Sequence, residues 1–267
     1  MSRSAPRDVF STFNASGEGA TRVLDVPIST VNLGTALNRI LGWIETKTAH
    51  YICVRDVHGV MRAQDDPELM RIHEEAGLVT PDGMPLVWIS RMRGYDDVSR
   101  VCGADLVDVL CGATARTGAR HYFYGGKDGV AERMVAVLKA RYPNLTVAGL
   151  HSPPFGRMTP EEDEIETARI SASQPDIVWV GLSTPKQEFW MRDHVGRIPG
   201  ATLVGVGAAF DFYAGDVKRA PRWMRDRGLE WLHRLGSEPR RLWRRYLVMA
   251  PRFVALVAYS SVFKAKK

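Results

Sequence analysis

The chain alternates short apolar segments with longer segments of helical periodicity, and this alternation restricts its fold more than any other feature. Apolar runs lie at residues 51–54, 78–80, 121–124, 176–181 and 201–207, and each ends in a polar or glycine-rich turn. The run DIVWVG at 176–181 is nearly all apolar, which is typical of a central parallel strand covered on both faces. The pattern predicts an α/β fold in which helices flank a mostly parallel sheet.

Capping residues and prolines mark several helix starts. Asp66-Pro67 and Thr159-Pro160 each combine a capping side chain with proline at the first helical position. Apolar periodicity predicts further helices at residues 32–47 and 84–92, and a short strand at residues 22–26.

The length of 267 residues suits one large α/β domain with an addition. We expect a flexible amino-terminal tail at 1–20, the α/β domain at 21–217 and a basic helical segment at 218–267. The tail is polar and resembles neither a signal peptide nor a membrane span.

Three cysteines occur, without the paired spacing of a metal site. We therefore predict neither a disulfide scaffold nor a zinc centre, and a reducing cytoplasm as the location.

One strand-to-helix turn carries the first candidate for chemistry. The segment 78–80 runs directly into Pro81-Asp82-Gly83, and a helical period follows from Met84. Asp82 therefore lies at the carboxyl end of a predicted strand, the edge at which open α/β sheets bind ligands. The alternative is that Asp82 only caps the following helix.

Two other predicted strand ends place polar side chains at this edge. Asp56 and His58 follow the strand at 51–54, although helix capping and a satisfied, partly buried histidine are the favoured explanations for them taken alone. Lys186 and Gln187 lie at a helix start. Because the helix dipole disfavours a lysine there, a ligand contact is slightly favoured.

A glycine-rich turn containing Gly125 and Gly126 follows the strand at 121–124. Its backbone N–H groups could bind the phosphates of a nucleotide, but the spacing matches neither the dinucleotide fingerprint nor the P-loop. An ordinary turn is the favoured explanation. Asp211, between two aromatic residues after the last strand, is equally well explained by a structural hydrogen bond.

The composition changes at Lys218, beyond which arginines alternate with tryptophan, leucine and tyrosine. Pro221, Pro239 and Pro251 are predicted to break this segment into helical blocks. The run at 246–263 contains proline and arginine and is a poor transmembrane candidate. We favour contact with an anionic membrane surface, for which Trp- and Arg-rich amphipathic helices are suited. The alternatives are a helical cap with solvated arginines and, without a recognition motif, a nucleic-acid surface.

A set of ordered motifs carries a family resemblance. The motifs are TPDGMPLVW at 80–88, RVCGADL at 100–106, FYGGKDGVAE at 123–132, PDIVWVGLSTPKQE at 175–188 and GVGAAFDFYAGDVKRAPRWMRDRGLEWLHRL at 205–235. Together they resemble the WecG/TagA/CpsF glycosyltransferase family over nearly the whole chain after the tail. The resemblance implies a Rossmann-like core and a carboxyl-terminal appendage that meets the membrane and closes over the active site.

The same resemblance implies an inverting, metal-independent transferase that uses no cofactor. Family members move a sugar, typically of the N-acetylmannosamine type, from UDP-sugar as substrate to a polyprenyl-diphosphate-linked acceptor. The expected partners are these two substrates and an anionic membrane surface, with no nucleic acid. We expect a peripheral protein on the inner, cytoplasmic face of the cell membrane, and a homo-oligomer is left open.

Site residues follow from the resemblance as well. It implies that Asp82 is the general base, with Asp56 near the substrate. The other substrate or nucleotide contacts that it implies are Arg100, Gln187, Asp211, Arg234, Arg241 and Arg244.

Two neighbouring positions depart from the family pattern. Where many members carry Thr and Asn after the second strand, this chain has Val54 and Asp56. The lost hydroxyl and added charge should alter sugar contacts, so glucosyl transfer stays open. A non-enzymatic nucleotide- or nucleic-acid-binding protein is the main rival, and a dehydrogenase is disfavoured because the dinucleotide fingerprint is absent.

Overall fold

The computed structural model describes residues 19–154, 156 and 158–264, so almost all of the predicted tail at 1–20 lies outside the described residues. Its strands are β1 (Ala20–Val23), β2 (Val26–Ser29), β3 (His50–Arg55), β4 (Leu78–Pro81), β5 (Arg120–Gly125), β6 (Thr146–His151), β7 (Ile177–Gly181) and β8 (Thr202–Gly205). The last six strands form a parallel sheet in the order β4-β3-β8-β7-β5-β6. The carboxyl ends of the strands therefore meet at one edge.

Helices cover both faces of this sheet. They are α1 (Leu33–Thr46), α2 (Val57–Gln64), α3 (Pro67–Glu75), α4 (Met84–Met92), α5 (Gly103–Thr114), α6 (Val130–Arg141), α7 (Pro160–Ala172), α8 (Lys186–His194) and α9 (Ala209–Ala214). One apolar core lies beneath α1, α5, α6 and α9, and the other beneath α2, α3, α4, α7 and α8. On β7, Trp179 enters the first core and Val180 the second, and both are fully buried. The predicted fold class and the doubly covered central strand are confirmed.

Local capping agrees with the sequence. The Asp66 side chain accepts from the backbone N–H of Leu69 at 3.0 Å, and Thr159 forms a capping box with Glu162. Both prolines occupy the first turn, as predicted. The predicted helix at 84–92 is also confirmed as α4.

The predicted strand at 22–26 is wrong, because the chain reverses there. Strands β1 and β2 form an antiparallel hairpin in which Val23 pairs with Val26. The two intervening residues, Leu24 and Asp25, have φ angles of 48° and 66°. This backbone is the type I′ turn of tight hairpins, which normally carries Asn-Gly or Asp-Gly. Because Leu24 is not a typical residue of such turns, the sequence did not indicate the turn.

Short helices build the carboxyl-terminal segment. They are α10 (Arg222–Asp226), α11 (Glu230–Ser237) and α12 (Pro239–Trp243), followed by a π-helical segment (Arg244–Met249) and α13 (Ala250–Lys264). Pro221 and Pro239 lie at helix starts, but the predicted break at Pro251 is wrong. Helical backbone continues through this proline directly after the π-helical segment, whose wider turn accommodates local disruption of the hydrogen-bond ladder.

The buried residues of this segment include two large apolar side chains. Leu242 is 2% exposed, and Phe253 at 3% joins the core beneath α2 and α3. No helix within the described ranges is both long enough and apolar enough to cross a membrane.

Candidate active site

A cavity of about 630 Å³ lies at the carboxyl edge of the sheet. Residues that follow β3, β4, β7 and β8 line one side, which we call the sheet-edge wall. The lining residues from Gly228 to Ala250, most of them in α11, α12 and the π-helical segment, form the opposite side, the carboxyl-terminal wall. The segment predicted as an appendage therefore contributes directly to the cavity.

Backbone and side-chain bonds fix Asp82 on the sheet-edge wall. Its N–H donates to the carbonyl oxygen of Arg55, the last residue of β3, at 2.7 Å. The Arg100 guanidinium donates to the Asp82 carboxylate from Nη2 at 2.9 Å and from Nε at 3.1 Å. The Asp82 side chain stays 31% exposed, and it lines the cavity.

The capping alternative for Asp82 is wrong. The residue that caps α4 is Gly83, and no side chain makes the cap bond. The Asp82 carboxylate is directed towards Arg100 instead, which leaves it available to the cavity.

The protonation properties of Asp82 and Asp56 differ. Burial raises the pKa of the Asp82 carboxyl, opposed by Arg100 and reinforced by the negative charges of Asp56 and Glu230. For Asp56, burial acts in the same direction, but Arg245 and His58 hold the pKa of this carboxyl well below its usual range. Two carboxylates in one cavity thus have opposite pKa shifts.

Asp56 combines two structural contacts. One carboxylate oxygen accepts from the N–H of Gly59 at 3.0 Å and caps α2, so the predicted cap is confirmed. The other oxygen forms an ion pair with Arg245 of the carboxyl-terminal wall. His58 also lines the cavity, and burial lowers its pKa to about 4, so its imidazole is neutral at neutral pH.

A second ion pair joins the two walls. Arg100 lies between Asp82 and Glu230, the first residue of α11, and its Nη2 is 2.7 Å from the Glu230 carboxylate. Behind it, Arg219 pairs with Asp105 at 2.7 Å and also contacts the Cys102 sulfur at 3.0 Å. Burial raises the pKa of the Cys102 thiol, so this sulfur stays protonated.

The cavity lining carries an excess of positive charge. Its arginines are Arg100, Arg219, Arg234, Arg241, Arg244 and Arg245, and its carboxylates are Asp56, Asp82 and Glu230. Six guanidinium groups against three carboxylates give a net charge of +3 with His58 neutral. Guanidinium groups match phosphate oxygens in geometry, so this lining is suited to a polyphosphate anion.

The structure brings most of the predicted site residues together. Asp56, Asp82, Arg100, Gln187, Arg234, Arg241 and Arg244 all line the cavity. Gln187 is 3% exposed, Arg234 lies 5.7 Å from the Phe212 ring centroid, and Arg244 lies over the Trp243 ring.

Four predicted contacts lie outside the cavity lining: Asp211, Gly125, Gly126 and Lys186. A side chain at Gly125 would place its Cβ 2.6 Å from the Gly181 backbone, so close packing of β5 on β7 explains this glycine. Lys186 is exposed at the start of α8. Asp211 is half-buried on α9, where burial raises the pKa of its carboxyl more than Arg241 lowers it. Ligand contacts of these residues remain predictions.

Sequence reasoning missed several residues that shape the cavity. Glu230 pairs with Arg100, and Arg245 pairs with Asp56. The partners in each pair lie more than a hundred residues apart in the sequence, so no local pattern reveals the pairing. Arg55 and Glu188 form an ion pair whose side chains are 1% and 0% exposed. The sequence signal that could have indicated this pair is Arg55 itself, a charged residue at the end of an apolar strand.

Within the described part of the chain, no group of three or more His, Cys, Asp or Glu side chains could hold a metal ion. The glycosyl transferase WecG/TagA/CpsF family matches residues 21–267. The chain belongs to this family. The protein is therefore a glycosyltransferase, and the assignment supports a role in cell-surface polysaccharide synthesis. The α/β fold of this glycosyltransferase agrees with the Rossmann-like core that the resemblance implied.

Proposed function

We propose that this glycosyltransferase moves a hexose, of the N-acetylmannosamine type or another kind, from a UDP-sugar to a polyprenyl-diphosphate-linked saccharide with inversion. The single observation that carries the proposal is the Asp82 carboxylate, held by Arg100 in a cavity with excess guanidinium groups. The family match supports the transferase class. The nucleotide, the sugar and the acceptor are our inference.

The proposed reaction is a single displacement. An acceptor hydroxyl oxygen forms a bond to the anomeric carbon, while the bond from this carbon to the UDP oxygen breaks on the opposite face. Asp82 takes the hydroxyl proton, and UDP leaves with the bonding electron pair. Attack opposite the leaving group inverts the anomeric configuration.

Asp82 is a better base than Asp56 for two reasons. The raised pKa of Asp82 favours proton capture, whereas Asp56 has a lowered pKa. Both Asp56 oxygens are also engaged, one by Gly59 and one by Arg245.

The arginines are proposed to stabilise the diphosphate leaving group. Charge accumulates on UDP as the glycosidic bond breaks, and fixed cations nearby lower the energy of that state. Arg234, Arg241 and Arg244 approach the cavity from the carboxyl-terminal wall. We propose that these groups act without a metal ion and that no cofactor takes part, UDP-sugar being a substrate.

Membrane contact is proposed for the exposed side of the carboxyl-terminal segment. Leu247, Val254 and Tyr259 are 58%, 64% and 62% exposed, and Trp243 is also exposed. Apolar and aromatic side chains beside arginines are suited to an anionic lipid surface. The enzyme would then lie on the inner face of the membrane, where it meets a lipid-linked acceptor.

Replacement of Asp82 by Asn tests the base. We expect normal folding and about a 10²–10⁴-fold loss of kcat, because the amide cannot take a proton. Asp97→Asn, an exposed acid in the loop after α4, is the matched control. Transfer from UDP-sugars to a synthetic lipid-linked acceptor is the assay, and a donor screen identifies the sugar. Near wild-type turnover of Asp82→Asn would reject the assignment.

The pH profile of the wild type adds a second readout. Because the pKa of Asp82 is raised, the active carboxylate form is lost as pH falls through a range above that of an ordinary aspartate. The acid limb of kcat/KM should therefore lie above that ordinary range. A limb at the ordinary position of an aspartate contradicts this role.

Vesicle flotation tests the membrane surface. The triple variant Leu247→Ser, Val254→Ser and Tyr259→Ser should lose most binding to vesicles that contain phosphatidylglycerol. The double variant Val137→Ser and Ile165→Ser changes exposed apolar residues of α6 and α7 and should bind as the wild type does. Equal flotation of both variants would place the contact elsewhere.

A further inference from the structure

The buried pair of Arg55 and Glu188 lies beneath the sheet-edge wall. Their side chains are 1% and 0% exposed, and they join the end of β3 to the first turn of α8. Space for the guanidinium depends on Gly59, where a Cβ would lie 2.7 Å from Arg55 Nη1. Burial of two charges is costly, and apolar residues of similar volume often serve stability as well or better. Stability alone therefore gives weak reason for this pair.

The Glu188 carboxylate holds the cavity residue next to it. Its Oε1 atom accepts from Arg55, from Gln187 Nε2 at 2.8 Å and from the Thr184 hydroxyl at 3.4 Å. Gln187 and Thr184 both line the cavity, and Glu188 does not. The side chains of the buried pair thus reach the cavity lining through Gln187 and Thr184, while the Arg55 backbone carbonyl accepts from Asp82.

This contact fixes the orientation of the Gln187 amide. A carboxylate paired with arginine only accepts hydrogen bonds, so the amide NH₂ must face Glu188 and the amide oxygen must face away. The reverse orientation would place two acceptors against each other. Gln187 Oε1 is buried and has no hydrogen-bond partner among the described residues. It lies beside the open backbone of Gly207, where an added Cβ would be 3.4 Å away.

Buried polar atoms normally have a hydrogen-bond partner, and Gln187 lines the cavity, so a bound ligand is placed to supply the donor. We propose that Arg55 and Glu188 are positioning residues that present Gln187 Oε1 to accept a hydrogen bond from an N–H group of the donor substrate. The inference rests on the proposed UDP-sugar donor. Such an N–H occurs in two places, the imide of uracil and the acetamido group of an N-acetylated sugar.

A cycle of protein and ligand changes tests this proposal. The ligands are UDP-N-acetylhexosamine, its N3-methyluracil analogue and the matching UDP-hexose without the amide. Binding to wild type is measured by calorimetry. We expect the ligand that loses the contacted N–H to bind about 10–100-fold more weakly, because the buried oxygen stays unpaired. The analogue that shows the loss identifies the source of the N–H.

Two variants then locate the effect. Gln187→Met removes the acceptor, and the double variant Arg55→Met with Glu188→Met replaces the buried pair by apolar side chains of similar volume. In both variants the N–H dependence should shrink to about threefold or less, because the amide is absent or free to rotate. KM for the donor should rise with little change in kcat, since the contact is equal in ground and transition states. Glu188→Asp, which keeps the buried charge but withdraws it from the amide, replaces the double variant if that protein fails to fold.

Gln64→Met is the matched control, because Gln64 on α2 donates to the Leu24 carbonyl oxygen at 2.6 Å and does not line the cavity. It should keep the wild-type N–H dependence. An unchanged N–H dependence in the double variant overturns the positioning role, and insensitivity of the wild type to both analogues overturns the acceptor role. A wild type that binds no UDP at all overturns the proposed donor, and this inference with it.

Discussion

The two walls of the cavity are built on different principles. The sheet-edge wall consists of strand ends and helix starts, and hydrogen bonds fix polar groups on it, as in the Asp82 turn, with the buried Arg55–Glu188 pair beneath it. The carboxyl-terminal wall consists of short helices and a π-helical segment, and Arg241 and Trp231 on it are 57% and 41% exposed. One wall fixes the position of reactive groups, and the other supplies positive charge.

Ion pairs, a cation–π contact of Arg234 with Phe212 and buried apolar side chains attach the two walls to each other. The ion pairs Asp56–Arg245 and Arg100–Glu230 cross the cavity. Leu242 of the carboxyl-terminal wall and Phe253 of α13, just beyond this wall, are buried apolar anchors. Burial of one such side chain contributes about 1.5–3 kcal/mol. The carboxyl-terminal wall should therefore open at a lower free energy than the sheet, which retains its own two cores.

Loss of an apolar anchor gives the largest expected effect. Phe253→Ala should destabilise docking of the carboxyl-terminal wall by about 3–5 kcal/mol. Hydrogen exchange should accelerate at least about tenfold in residues 239–264 and stay unchanged in β7 and β8, and kcat/KM should fall as the arginines leave the cavity. Leu247→Ala, which truncates an exposed neighbour, is the control. Equal acceleration in the sheet would mean that both walls unfold as one unit.

The ion pair between Asp56 and Arg245 gives an intermediate effect. Asp56→Asn removes the charge but keeps the cap of α2, because Asn caps helices as well as Asp. Combined with Arg245→Gln in a double-mutant cycle, it should give a coupling of about 0.5–3 kcal/mol in the stability of the docked segment. The exposed pair Asp65–Arg252 should show no measurable coupling in the same cycle. Additive effects of Asp56→Asn and Arg245→Gln would show that the pair does not hold the wall.

The sequence predicted the sheet-edge wall better than the opposite wall for a physical reason. Strand and helix periods and caps such as Asp66 and Thr159 are local signals, and parallel strands bring their ends together whatever the detail of packing. The position of Asp82 at this edge is therefore predictable from the sequence alone. Whether it capped α4 or faced the cavity depended on Arg100, which is distant in the chain.

The pairings of the carboxyl-terminal wall could not be predicted. Its sequence contains many arginines in similar local surroundings, and nothing local indicates which of them pairs with a given carboxylate. Docking selects Arg245 for Asp56, leaves Arg244 over Trp243, and places Glu230 against Arg100. The hairpin at Leu24-Asp25 escaped prediction for a related reason. Pairing of β1 with β2 imposes left-handed backbone on residues whose identity does not favour it.

The smallest expected effect concerns Glu238, which lies between α11 and α12. Glu238 accepts from Arg241 at 2.8 Å and lies 3.9 Å from Arg234, so it competes with a diphosphate for both cations. Glu238→Gln should lower KM for the UDP-sugar about two- to fivefold at low salt, and the gain should fade as salt screens these partly exposed charges. No cap is lost, since the Glu238 side chain makes no cap bond to α12.

Glu164→Gln is the control for Glu238→Gln. It removes the charge of an exposed glutamate on α7 that pairs with Arg197, and it should leave KM unchanged. A rise of KM in Glu238→Gln would reverse the interpretation. Glu238 would then hold Arg234 and Arg241 in place for the ligand, and this part of the carboxyl-terminal wall would be preorganised in the same sense as the sheet edge.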